Sequence, residues 1–339
     1  MFQEIKENLM DFSVYPKVEL HLHLDCSLSY NVVRTINPSI TEEAYRHEFI
    51  APARCTNLAD FLTRTPQGIA LMQTEEHLRL VVFDLFEQLQ QDHLLYAEIR
   101  FAPLLHTDMD LSPEQVVETV EAATSQACAS SGIETRLILC TLRHFSAEQS
   151  LQTAKLVERF RGTRVVALDL AGDEAGFPIA PHIAAYQYAA DRNLPRTAHA
   201  GEASGPQSIW ETLHSLHPWR IGHGVRSIED PALIEHLRQE RIHLEVCPTS
   251  NLQTNIYETF PDHPINRLYE LGISVSVNTD ARTITDITLT QEYEKLHQFF
   301  AWDKHHFLRC NLEAIRAAFL PEPARQQLAA RLQESYRSM

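Results

Sequence analysis

Eight short stretches of β-branched and apolar residues punctuate this sequence, and between them the chain reads as helix. They lie at 18–24, 94–101, 135–141, 164–170, 196–200, 220–224, 242–246 and 273–278. Several are apolar almost throughout, as in LILC, VVALDL and ISVSV, which is the pattern of strands covered on both faces. Amphipathic patterns at 75–92, 112–132 and 146–162 precede the second, third and fourth stretches, and shorter ones at 231–240 and 264–272 precede the seventh and eighth. Ser146 with Glu148 reads as a helix start and Gly272 as a helix stop. Strand–helix alternation implies a parallel sheet, and eight such strands close a barrel. The expected fold is α/β: a (β/α)8 TIM-type barrel with extra helices over its C-terminal mouth, supplied by the long gap at 29–93. No linker, low-complexity tract or repeat divides the chain, so a single domain over 1–339 is expected.

A barrel of this kind gathers the C-terminal ends of its strands around one mouth. Polar residues fall at those ends: His21 and His23 on the first, Asp169 on the fourth, His199 on the fifth, His223 on the sixth, and Asp280 just past the eighth. His21 and His23, two apart on a strand, face the same way, so both can turn into the barrel. A single strand-end histidine is ordinarily a packing residue. Packing explains poorly why so many such groups end strands that are otherwise apolar. His21, His23, His199 and Asp280 form a nitrogen and oxygen set that suits Zn2+, or another borderline divalent ion, with one position left open for water. An ion so placed lowers the pKa of its water towards neutrality and makes hydroxide available as a nucleophile.

Charge narrows the choice of partner. With 29 basic and 45 acidic residues the net charge is −16, so a nucleic-acid backbone or an anionic membrane surface would be repelled over most of the molecule. A charged nucleotide substrate is mildly disfavoured for the same reason. The six cysteines are scattered without a CxxC pair, which reads as reduced thiols. The first twenty residues carry neither a basic n-region nor an apolar h-region, and no apolar run approaches the roughly 18 residues of a spanning helix. A cytoplasmic protein acting on a small molecule is the expectation, with the oligomeric state unknown.

PKVELHLHLD (16–25), LDLAGDE (168–174), HAGE (199–202), GHG (222–224) and SVNTD (276–280) together resemble the adenosine deaminase family, within the metal-dependent amidohydrolase barrels. The resemblance implies hydrolytic deamination of adenosine and 2′-deoxyadenosine to inosine and 2′-deoxyinosine with release of ammonia. It implies one Zn2+ per chain, held by His21, His23, His199 and Asp280. Glu202 would give a proton to the ring nitrogen beside the amino-bearing carbon, from a carboxyl of raised pKa. His223 would hold the attacking water and stabilise developing charge, and Asp280 would double as proton acceptor. Gly172 would let a backbone N–H approach the purine, where a Cβ could obstruct it. His23 and Asp25 would reach the ribose 5′-hydroxyl. Phe61, with Leu58 and Leu62, would cover the nucleoside, although their spacing equally fits plain helix packing.

The chain departs from the better-known animal enzymes at two positions. Cys26 stands where they carry glycine, and reads as a small packing residue and not a fifth ligand. Ala281 stands where they carry a second aspartate that contacts the purine's imidazole ring, so Arg282, Thr283 or water would have to replace that hydrogen bond. Other substrates within the same chemistry are adenine, aminodeoxyfutalosine or an N6-modified adenine nucleotide. A different class is a metal-dependent hydrolase of amides or phosphoesters; many of those carry a carboxylated lysine near strand four, where this chain has Asp169. A non-catalytic barrel would predict lost ligands or a secretion signal, and neither is seen.

Overall fold

The computed structural model describes residues 11–338, so the stretch read for a secretion signal begins outside them. Among the described residues there are eight strands: β1 (Lys17–His23), β2 (Leu94–Phe101), β3 (Glu134–Leu142), β4 (Val165–Ala171), β5 (Thr197–Ala200), β6 (Arg220–His223), β7 (His243–Val246) and β8 (Val275–Val277). β1 to β4 form one parallel sheet in that order and β5 to β8 a second. Isolated parallel bridges join the two at both seams, Leu168 to Arg196 and Leu22 to Asp280. The second seam is tight: His23 N–H donates to Asp280 O at 2.8 Å and Asp280 N–H to His21 O at 3.0 Å. The pairing is that of the expected barrel.

The strands are buried along nearly their whole length, as the apolar runs require. Most strand ends differ from the sequence reading by one or two residues; β8 differs most. It stops at Val277 because the Asn278 side chain takes over the pairing. Its amide oxygen accepts from Leu20 N–H at 2.9 Å and its NH2 donates to Val246 O at 3.1 Å, bridging β1 and β7. Helix Ala147–Arg159 starts at Ser146 as expected, but the partner in the capping box is Gln149, not Glu148. Gly272, at φ +78°, follows helix Ile265–Glu270 as the expected stop.

The gap at 29–93 holds five helices, Tyr30–Ile36, Glu42–Phe49, Leu58–Leu62, Thr65–Leu71 and Glu75–Gln91. The third brings Leu58, Phe61 and Leu62 to the wall of a cavity that His23, His199 and Asp280 also line, over the C-terminal strand ends. All six cysteines are free thiols. Among the described residues no helix is long and apolar enough to cross a membrane.

Candidate active site

Five side chains from four parts of the chain meet at the barrel mouth. His21, His199, His223 and Asp280 each present a ligand atom within 4.8 Å of the others. His23 belongs to the same knot, its Nε2 lying 3.3 Å from His199 Nε2 and 3.4 Å from Asp280 Oδ1. His21 Nε2 stands 3.3 Å from the same Asp280 oxygen. Four ligands about 2.0–2.1 Å from a tetrahedral centre are themselves about 3.3–3.4 Å apart, so these spacings fit a zinc-sized ion.

The tautomers fit as well. His21 Nδ1 donates to Glu245 Oε2 at 3.0 Å and His199 Nδ1 to Asp169 Oδ1 at 3.2 Å. Each ring therefore turns a bare Nε2 into the centre, the arrangement of histidine ligands fixed by outer carboxylates. Lone pairs then face lone pairs: His21 Nε2 is buried without a hydrogen bond, aimed at a carboxylate oxygen. A cation between them removes that repulsion. Burial drives His23 down to about 3 and lowers His199 and His223, keeping these imidazoles neutral. His21 is the exception: burial and Arg100 lower it, but the carboxylates of Asp280 and Glu245 outweigh them.

His223 and Asp280 sit at φ +59° and +66°, in the left-handed region, as do eight other non-glycine residues elsewhere among the described residues. Gly222 is required for a reason of volume: a Cβ there would come to 3.0 Å from His21 Cε1 and 3.3 Å from His199. At Gly172 a Cβ would meet no protein atom closer than Arg143 N at 3.4 Å. What requires glycine there is φ +101°.

Glu202 and Asp280 line one cavity with opposite proton affinities. Burial, then the charges of Asp280 and Glu174, push the Glu202 carboxyl well above its usual range. Burial acts on Asp280 too, but His21 and the other surrounding imidazoles hold it well below. Two acids pushed apart in this way can serve as acid and base. His223 Nε2 stands 3.6 Å from Glu202 Oε2, and Ser250 Oγ donates to Asp280 Oδ2 at 2.7 Å.

The cavity itself is about 50 Å³, and Gly172, Phe61, Cys26, Ala281 and Ile284 complete its wall. Asp25 does not line it. Its Oδ1 is 4.0 Å from His23 Nδ1, while its Oδ2 accepts from Ala102 N–H at 3.2 Å and faces His106. Leu58 and Glu202 also border a second cavity of about 510 Å³ that opens beside the first. An equally large cavity lined by Trp219, Arg220, Arg241 and His243 holds none of the convergent groups. Arg282 and Thr283 are not available to a ligand: the guanidinium is buried against Glu19 and Asp92 at 2.8 and 2.7 Å, and the hydroxyl donates to Leu28 O at 2.6 Å.

Several supporting residues escaped the sequence reading. Arg100 bridges the two outer carboxylates, reaching Asp169 at 3.0 Å and Glu245 at 2.6 Å. Arg220 holds the other Glu245 oxygen at 2.7 Å. Glu174 accepts the backbone N–H groups of Gly201, Glu202, Ala203 and Ser204 and the Ser208 hydroxyl, and so shapes the turn that carries Glu202. Glu19 accepts from Thr279 N–H at 2.7 Å and pins the segment that carries Asp280. The available signal was a charged residue inside an apolar strand, as in YAEIRF and HLEV.

Residues 16–335 match the family model described as Adenosine deaminase. An adenosine deaminase of Enterococcus faecalis is 33% identical over 327 residues, covering 95% of this chain and 97% of that one. One of Lacticaseibacillus casei is 35% identical over 336 residues, covering 96% and 99%. Among solved structures, an adenine deaminase from Arthrobacter aurescens superposes with a TM-score of 0.87 at 27% identity, covering 94% of this chain and 98% of that one.

Proposed function

The chain belongs to the adenosine deaminase family, and from that premise we propose that it hydrolyses adenosine and 2′-deoxyadenosine to inosine and 2′-deoxyinosine, releasing ammonia, with zinc as its ion. The observation that carries this reading is the buried pair Glu202 and Asp280, driven to opposite protonation states across one cavity. Zinc, when bound by His21, His23, His199 and Asp280, lowers the pKa of water towards neutrality and makes hydroxide available for attack.

The chain's own groups do the rest. Glu202 enters protonated and gives its proton to the ring nitrogen beside the amino-bearing carbon, which makes that carbon electrophilic. Asp280, held ionised, accepts a proton from the attacking water and passes it to the departing amino group, and as the C–N bond breaks and the carbonyl forms the second water proton returns to Glu202. His223, fixed beside both, faces the oxygen on which charge develops. His23, which lines the cavity with Asp25 4.0 Å behind its ring, meets the ribose, and Gly172 offers its backbone N–H to the purine. A cavity of about 50 Å³ is far below the roughly 300–1,000 Å³ of a small-molecule site. At Leu58 and Glu202 it borders the neighbouring cavity of about 510 Å³, which supplies room on that scale.

Loss of adenosine absorbance with equimolar ammonia tests the reading, on enzyme as purified, after chelation and after zinc is restored. Activity should vanish with the metal and return with it; unchanged activity after complete removal of metal contradicts it. A second reading, deamination of free adenine, is favoured by the structural likeness to the Arthrobacter aurescens protein.

A further inference from the structure

One imidazole at the mouth is turned the other way from the rest, and the cause lies outside the site. The backbone N–H of Ile265 lies 3.2 Å from His263 Nδ1. A backbone N–H can only donate, so that nitrogen carries a lone pair. His263 is buried and neutral, with burial taking it down to about 3, so its proton sits on Nε2. Nε2 is 3.1 Å from Asn251 Oδ1. The amide oxygen is thereby committed to His263, and the Asn251 NH2 faces His223 Nδ1 at 3.1 Å. An NH2 also only donates. His223 Nδ1 must accept, and its single proton lies on Nε2, beside Glu202 and the ligand cluster.

On the reading above, we infer that Asn251 and His263 are positioning residues: a one-way chain from the Ile265 amide through His263 and Asn251 fixes His223 with its proton on Nε2. The chain does two things at once. It aims an N–H, and not a lone pair, at the place where negative charge develops. It also withholds the His223 lone pair from the ion, although His223 lies within 4.8 Å of the ligand atoms of His21, His199 and Asp280. The contrast is built into the partners. His21 and His199 meet carboxylates and turn lone pairs inward, whereas His223 meets an amide NH2 and turns a proton inward. Rings of Tyr257 and Phe260, with centroids 5.2 and 6.3 Å from that of His263, hold the start of the chain in place.

The test is ¹⁵N NMR of the zinc-loaded protein with labelled histidine, which reports the nitrogen bearing each ring proton, the His223 signals being assigned by their loss in His223→Gln. Wild type should show His223 protonated at Nε2 and bare at Nδ1; the opposite tautomer overturns the inference without any relay variant. Asn251→Asp has the same shape but can only accept, so the His223 proton should move to Nδ1. Turnover should then fall by about 10²–10³-fold, the usual cost of one lost transition-state donor, with KM and zinc content near wild type. A variant that keeps Nε2–H, or one that switches tautomer yet turns over normally, overturns it. His263→Gln, which can still accept from Ile265 and donate to Asn251, should retain the wild-type tautomer where His263→Leu loses it; identical behaviour of the two also overturns it. The tautomer is read without substrate, so inactivity on adenosine would sink the functional reading and leave this one standing.

Discussion

Glu174→Gln removes one charge and one acceptor from beneath the catalytic turn. Oε2 of Glu174 accepts from Glu202, Ala203 and Ser204 N–H at 3.0, 2.6 and 2.9 Å, and Oε1 from Gly201 N–H at 2.7 Å and Ser208 Oγ at 2.5 Å. Glutamine has one oxygen. Its best arrangement keeps the three donors on that oxygen and sets its NH2 against Gly201 N–H, while the Ser208 hydroxyl turns to accept. One buried donor is then unpaired, at about 1–3 kcal/mol, and three bonds lose the charge that makes them worth about 1.5–3 instead of about 0.5–1.5 kcal/mol. With partial relaxation the loss comes to roughly 3–6 kcal/mol, against a total of roughly 5–15 kcal/mol for a folded protein. The turn also carries Glu202, and a displacement of about 1 Å there costs about 10²-fold in rate. Guanidinium unfolding at fixed zinc, paired with turnover on adenosine, measures both. A variant within about 1 kcal/mol of wild type and with unchanged turnover would show that this carboxylate does not hold the turn.

Glu202→Gln should lose turnover by about 10²–10⁴-fold, the worth of a general acid, while zinc content by elemental analysis stays at wild type. Near-normal turnover would remove its acid role. His21→Ala should lose metal and activity together, and a metal content equal to wild type would take His21 out of the ligand set. Acid should destabilise the fold through His243 and His263, each pushed by burial to about 3. Unfolded histidine titrates near 6.5, so the unfolded state binds more protons between the two values. Stability is therefore full above about pH 6.5 and falls towards pH 3, by about 1.4 kcal/mol per unit for each group. His243→Asn should flatten that slope in chemical unfolding between roughly pH 6 and 4; an unchanged slope would mean that His243 is not buried neutral.

Much of this was legible in the chain because a barrel converts sequence order into spatial order. Once eight apolar stretches are placed, His21, His199, His223 and Asp280 can only meet at the mouth, and they do. The outer layer was not legible. Arg100 and Glu245 pair across 145 residues, and Glu19 meets Arg282 across 263, distances over which periodicity says nothing. Asn251 and His263 were ordinary residues until their hydrogen-bond partners were known. Of the three replacements left open for the purine contact, Arg282 is taken by two buried carboxylates that sequence separation hides. Cys26 kept its packing role: it is partly buried at the cavity wall, and burial pushes its thiol well above the ordinary range.

Substrate identity is decided by one comparison: ammonia release from adenosine, 2′-deoxyadenosine, adenine and N6-methyl-AMP, measured side by side on one preparation of known zinc content. The two nucleosides should give the highest kcat/KM. Deamination of adenine or of the nucleotide by an enzyme inactive on adenosine would contradict the proposed function while leaving the metal centre and its chemistry intact.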